Sequence, residues 1–319
     1  MLKKVVVISN TSFADVEYLI NFGDPEILDG LNAIEINDVK LAKRLAGFLK
    51  FHDHFDIFII SKEKSVLDQI YKIYPYARLV YEVDHLYNFN KLKHDILGHH
   101  SYTVLISDGE INQLTVRQLK RHGIVVFNRV TDEVTIVRSM LAGVDGIVGK
   151  DIKELPDLNV DYGLSPFVIA HRGFHKETQE NSVKASIKAH QLDADYVEMD
   201  IHMTKDNKIV VNHDATLGRT FEKDYVIKKE KLRTLQEVKM VFKEEILQEK
   251  LPLLKDFDHA LVESNIGFII ESKTDSKFAM RRLARVVNTI NRPVLLMSFY
   301  PYSIIHMKKY MPNIVNGIL

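Results

Sequence analysis

Short apolar runs that end in, or carry, ionisable residues recur along the second half of the chain. Residues 167–170 lead into His171-Arg172-Gly173, 196–201 carry Glu198 and Asp200, 208–211 precede His213-Asp214, and 267–270 precede Glu271-Ser272-Lys273. Near-continuous apolar stretches such as 267–270 and 293–297 suit parallel strands buried on both faces. Between them, Val183, Ile187 and Leu192 are spaced for one face of a helix starting near Asn181, whose side chain can cap the first turn. Thr204-Lys205-Asp206-Asn207 reads as a tight turn. Strands alternating with helices and ending in ionisable residues predict a (β/α)₈ barrel, which projects catalytic side chains from the C-terminal ends of several strands.

The pattern also repeats. The segment NAIEINDVKLAKRLAGFL near residue 32 is similar to GFIIESKTDSKFAMRRLARVV near residue 267, and each runs into a strand, a helix and a proline. Ser61 and Ser298 are 237 residues apart, as are Pro75 and Pro312, so duplication explains the match better than chance. The first copy continues through 123–151 as strand, helix and a Gly-Val-Asp-Gly-Ile strand. The second ends at Leu319, opposite residue 82, which predicts a C-terminally incomplete barrel; a fragment explains this better than a permuted barrel. Residues 152–165, with Pro156 and Gly163 and no apolar periodicity, read as a linker between a unit at 1–151 and one at 166–319.

Composition narrows the picture. A chain of 319 residues exceeds one minimal barrel of ~250 residues but falls short of two. Lys+Arg and Asp+Glu are both 43, so no global field draws the protein to nucleic acid or an anionic membrane. Zero cysteines exclude disulfides and thiolate metal sites. No run approaches the ~18 apolar residues of a membrane span. The apolar part of MLKKVVVISN is too brief for a signal-peptide core, so the expected location is the cytoplasm.

Glu198 and Asp200 lie two apart on a predicted strand and so share a face. Burying both without a cation is costly, and Glu271 from a later strand offers a third carboxylate. An all-oxygen set favours Mg²⁺ or Ca²⁺ over Zn²⁺.

HRGFHKETQENSVKASIKAH, DADYVEMDIHMTKDNKIVVNHDATLGRTF, FIIESK and VLLMSF, in this order over 166–319, resemble the glycerophosphodiester phosphodiesterase family, which is related in fold to phosphatidylinositol-specific phospholipases C. The resemblance implies metal-dependent hydrolysis of glycerophosphodiesters to sn-glycerol 3-phosphate and an alcohol. It implies Glu198, Asp200 and Glu271 as metal ligands and His171 and His213 as an acid–base pair. Arg172 and Lys273 would contact the phosphate, and Glu180 the phosphate or the glycerol hydroxyls. A cyclic intermediate and direct attack by water both stay open. Gln179 stands where the family usually has proline. Asp214 and Arg219 are expected to support the site, Phe299 and Tyr300 to line the mouth or join the core, and other histidines, His202 included, to be ordinary polar residues. Leu235 and Leu251-Pro252-Leu253 belong to packing segments.

The first copy is then a degenerate, non-catalytic module of the same family, serving as scaffold, oligomerisation surface or regulatory piece. It keeps Glu35 opposite Glu271, but Asn37 replaces Lys273, and both histidine motifs are missing. Two other classes compete with the diesterase reading. One is a phosphodiesterase acting on phospholipid or teichoic acid, disfavoured by the want of a basic amphipathic helix. The other is a non-catalytic binding or assembly module built on an open barrel.

Overall fold

Parallel pairing dominates both halves of the chain. The computed structural model describes residues 6–9, 33–51, 57–107, 111–149, 152 and 166–319. It divides into two units, Met1–Leu164 and Ser165–Leu319. Apart from Ile152, the expected linker lies outside the described residues.

The first unit alternates strands and helices: β1 (Val6–Ser9), β2 (Ala33–Glu35), α1 (Val39–Phe51), β3 (Phe58–Ser61), α2 (Lys64–Ile73), β4 (Arg78–Val83), α3 (Phe89–Gly98), β5 (Thr103–Ile106), α4 (Gln113–Lys120), β6 (Val125–Val130), α5 (Glu133–Ala142) and β7 (Gly146–Gly149). All seven strands are parallel, in the order β1-β7-β6-β5-β4-β3-β2. The first strand therefore pairs with the last, and β1 and β2 are the two ends of this order. Ile8, Ala33, Ile60, Val80, Leu105, Phe127 and Val148 form one buried cluster. Their immediate neighbours Ile34, Ile59, Leu79, Val104, Val126 and Ile147 are buried on the opposite face, as the two-residue pleat dictates. Asn88, Asn112 and Asp132 cap the helices that follow them, and Gly143 ends α5 at φ +80°.

The second unit comprises β8 (Ile169–Ala170), α6 (Val183–Gln191), β9 (Tyr196–Met203), β10 (Ile209–Val211), α7 (Leu232–Leu235), β11 (Lys239–Phe242), β12 (Glu245–Lys250), α8 (Leu254–Ala260), β13 (Gly267–Ser272), α9 (Lys277–Val287), β14 (Val294–Ser298), α10 (Pro301–Tyr310) and β15 (Asn316–Ile318). Strands β8-β9-β13-β14-β15 run parallel in that order and make a curled half-barrel sheet. Val197, Met199, Ile201, Phe268, Ile270 and Leu296 point to one side of it. There they pack with Ala279, Met280 and Leu283 of α9 and Phe257 of α8.

Four local expectations need correction. The run 167–170 forms a strand only at Ile169–Ala170. The run 208–211 narrows to β10, which pairs antiparallel with the end of β9, so His213-Asp214 hangs from a hairpin. A turn of four residues cannot return a chain for parallel pairing, which needs a crossover of a dozen or more. Leu192 follows the last helical residue and is exposed, leaving Val183 and Ile187 to pack against the core. The cap of α6 is Ser182, whose Oγ accepts from Ala185 N, and not Asn181.

Candidate functional site

The pleat of β9 sends Tyr196, Glu198, Asp200 and His202 to the side opposite the helix-packed core. Asp200 is in register with Glu271 of β13, whose side chain alternates in the same way. All three carboxylates are buried, and one oxygen from each lies within 4.8 Å of the others. Among the described residues this is the one acidic or histidine group with metal-holding geometry. Burial, and then the charge of Asp200, push the Glu198 carboxyl up to about 7.

Two cations face the carboxylates. Lys273 Nζ lies 2.6 Å from Glu271 Oε1 and 3.2 Å from Asp200 Oδ1, and Arg172 Nε lies 3.3 Å from Asp200 Oδ2. Neither Arg172 Nε nor Glu271 Oε1 has a partner at hydrogen-bond angles, although both atoms are buried. Three carboxylates and two cations leave one net negative charge, and one carboxylate oxygen is poorly satisfied. An oxygen-seeking divalent cation suits that donor set.

The segment after β8 supplies the rest. Arg172 adopts φ +58° and donates its N–H to Glu198 Oε2 at 3.0 Å. Gly173 follows at φ +80°, and a Cβ there would meet the Ala185 backbone at 2.8 Å. Asn181, at φ +53°, donates N–H to the Arg172 carbonyl. Its amide Nδ2 donates to Asp200 Oδ2 at 2.9 Å, and its Oδ1 accepts from Asp200 N at 3.2 Å. Asn181 thus clamps a carboxylate instead of a helix end.

Glu180 bridges two guanidinium groups, accepting from Arg172 Nη1 at 3.0 Å and Arg219 Nη2 at 2.6 Å. Burial raises its carboxyl, but Arg219 and Arg172 together hold it below the usual carboxylate range. Arg219 Nε donates to Asp214 Oδ2, and Asp214 Oδ1 meets His213 Nδ1 at 2.7 Å. One chain of contacts therefore runs from Arg172 through Glu180, Arg219 and Asp214 to His213. His171 is largely exposed, with Nε2 4.0 Å from Glu198 Oε2. Burial of its ring and the neighbouring Arg172 charge lower its pKa.

Two residues named above only in passing make specific contacts beside these groups. His202 reaches the His213 carbonyl with Nε2 at 3.1 Å, and the shared parity with Asp200 was the signal that could have found it. Gln179, with its amide oriented to satisfy both ends, donates to the Val241 carbonyl of the β11–β12 hairpin. Phe299 and Tyr300 are exposed and stay out of the core, and Lys273 Nζ stands 5.8 Å from the centre of the Phe299 ring.

The equivalent layer of the first unit is filled differently. Two residues beyond the buried layer, Arg129 Nη2 donates to Glu35 Oε1 at 2.7 Å and to Glu82 Oε1 at 2.8 Å. Ser107 donates to Glu82 as well. Glu35 is therefore not the lone carboxylate at this level, and one guanidinium already bridges both.

Comparison with known proteins identifies relatives of this chain. The model of the glycerophosphoryl diester phosphodiesterase family matches residues 171–315. A glycerophosphodiester phosphodiesterase of Caldanaerobacter subterraneus subsp. tengcongensis is 31% identical over 171 residues, covering 49% of this chain and 67% of the relative. One from Bacillus altitudinis is 28% identical over 160 residues, covering 48% and 65%. The chain thus spans about two thirds of the length of these relatives. Among solved structures, an Oleispira antarctica phosphodiesterase in complex with the product sn-glycerol-3-phosphate is 27% identical, with a TM-score of 0.46, covering 48% of this chain and 65% of that one.

Proposed function

We propose that this chain, which belongs to the glycerophosphodiester phosphodiesterase family, carries the site for metal-dependent hydrolysis of glycerophosphodiesters to sn-glycerol 3-phosphate and an alcohol. The observation that carries the reading is the buried trio Glu198, Asp200 and Glu271, faced by Arg172 and Lys273 and accompanied by two histidines. A phosphodiester bears one negative charge. With a divalent cation the inner residues carry one net positive charge, which matches it.

Glu198, Asp200 and Glu271 would hold Mg²⁺ or Ca²⁺, whose chemistry when bound is to offset phosphate charge and acidify an oxygen nucleophile. The side chains do the rest. Asp214 engages His213 at Nδ1, which leaves Nε2 to take up or release a proton. The lowered pKa of His171 keeps its ring neutral near pH 7 and able to accept a proton. Arg172 is fixed in plane by Glu180, and Lys273 by the carboxylates. Both suit the phosphoryl oxygens, whose charge grows in the transition state. Glu180 is occupied by two guanidinium groups, so its role is to set the Arg172 fork rather than to touch phosphate.

No helix among the described residues is long and apolar enough to cross a membrane. A small, water-borne diester in the cytoplasm fits the balanced charge better than an interfacial substrate. The first unit, 1–151, serves in this reading as a non-catalytic module of the same ancestry.

The test is turnover of glycerophosphocholine, glycerophosphoethanolamine and a lysophospholipid, each with Mg²⁺, Ca²⁺ or EDTA. Release of sn-glycerol 3-phosphate that needs a cation and falls at least ~10²-fold in His213→Ala supports the reading. Full activity in EDTA, or hydrolysis of the lysophospholipid alone, would contradict it.

A further inference from the structure

We propose that His202 is a positioning residue for His213, holding the backbone carbonyl of that residue and with it the loop that carries its imidazole. The proposal rests on the reading of His213 as a proton-transfer group. Its basis is the end of the β9–β10 hairpin.

β10 stops at Val211, so the carbonyls that follow lie past the β9–β10 ladder. Side chains hold those of His213, Asp214 and Thr216, while the Ala215 carbonyl accepts from the backbone N–H of Ile227. Asn212 Nδ2 donates to the Asp214 carbonyl at 2.7 Å and to the Thr216 carbonyl at 3.2 Å, and Asn212 Oδ1 accepts from Thr220 Oγ1 at 3.2 Å. The His213 carbonyl faces His202 Nε2 at 3.1 Å. A carbonyl only accepts, so the proton sits on Nε2 of His202. With Asp214 on its ring and His202 on its carbonyl, His213 is anchored on both sides of its Cα.

The placement of His202 follows from the strand. It stands one pleat beyond Asp200 on the same face of β9, so any shift of this ring moves the hairpin end relative to the carboxylates. Losing the bond frees a carbonyl in a loop that aims a reacting group, and displacements of about 1 Å at such groups cost about ten- to a hundredfold in rate.

The experiment compares H202L, H202Q, H213A and the double variant H202L/H213A in the full chain with glycerophosphocholine and Mg²⁺. It also records the His213 ring nitrogens by long-range ¹H–¹⁵N NMR of histidine-labelled protein. Gln can place an amide N–H near the position of Nε2, whereas Leu cannot donate. H202L is expected to lower kcat about tenfold with KM within about twofold, and H202Q to recover most of the loss. The double variant should be no slower than H213A. The His213 ring signals should shift in H202L and return in H202Q.

Unmoved His213 signals in H202L, or H202Q as impaired as H202L in both readouts, would overturn the proposal. Full turnover by H213A, with ring signals that still respond to H202L, would remove the proton-transfer reading and leave the positioning contact supported. Because the ring signals do not depend on turnover, the contact is decided even in a preparation that is slow with this substrate. If H202L does not fold, H202M serves as the non-donating variant.

Discussion

Asn181 holds Asp200 from both ends of one amide, and that makes it the most constrained polar residue around the carboxylates. It sits at φ +53°, a region asparagine enters more cheaply than most residues, and its own N–H secures the Arg172 carbonyl. Asn181→Ala should keep the fold but release the Asp200 carboxylate. Supporting partners of this kind are worth about 10–100-fold in metal affinity, so Mg²⁺ or Ca²⁺ titration by calorimetry should show a loss of that size. Binding unchanged within twofold would remove Asn181 from the site. A helix-start motif gave no hint of this role, because Ser182 and Asn181 both cap well and only the distance to Asp200 separates them. By contrast, the face shared by Glu198 and Asp200 was readable at once, since a two-residue spacing on a strand leaves no other arrangement. Glu180 was legible as part of the site. Its division between Arg172 and Arg219 was not, because Arg219 lies 39 residues away along the chain.

At the scale of elements, close approach decides where side chains can be tolerated. β13 lies between β9 and β14, and a Cβ on Gly267 would stand 2.6 Å from the Tyr196 ring and 3.1 Å from the Pro293 carbonyl. Gly267→Ala should therefore destabilise the second unit by about 1–3 kcal/mol in urea unfolding. Gly47, in the middle of α1, has nothing within 4 Å of its Cβ position. There the alanine substitution should stabilise by about 0.5–1 kcal/mol, through helix propensity and a less flexible unfolded chain. Equal effects at the two sites would show that the β13 contact is relieved by movement of the ring. The parallel strands were legible from their apolar runs. β10 was misread because three apolar residues look alike in either direction, and only the short connection, residues 204–208, carried the information. The strand at 167–170 shrank to two residues for a related reason. Val168 and Ile169 are exposed, so apolar composition there reflects a sheet edge with no neighbour beyond it among the described residues.

At the scale of the whole chain, the two units arrange the charges at the ends of their parallel strands differently, and among the described residues the second alone brings three carboxylates within 4.8 Å of one another. In the first, Arg129 sits against Glu35 and Glu82, and the guanidinium is a permanent part of the layer. In the second, three buried carboxylates face only two cations, and Glu198 takes up a proton near pH 7 in the absence of a further charge. A cation should therefore stabilise one unit and leave the other alone. Added Mg²⁺ or Ca²⁺ is expected to raise the melting temperature of the second unit, with the rise lost in Glu198→Gln/Asp200→Asn. Hydrogen exchange of β4 and β6 should not change. Arg129→Met should act in the converse way. It strips the buried Glu82 of its charged partner and leaves it only the Ser107 hydroxyl, a loss worth about 3–5 kcal/mol for a buried pair broken on one side, and exchange should speed up in the first unit alone. Glu82→Leu added to Arg129→Met should restore much of that stability, because the uncompensated charge disappears with the carboxylate while the apolar layer of Val80, Leu105 and Phe127 continues upward. If Arg129→Met instead leaves β4 and β6 as protected as before, the ion pair contributes little, and the first unit stands on its apolar layers alone.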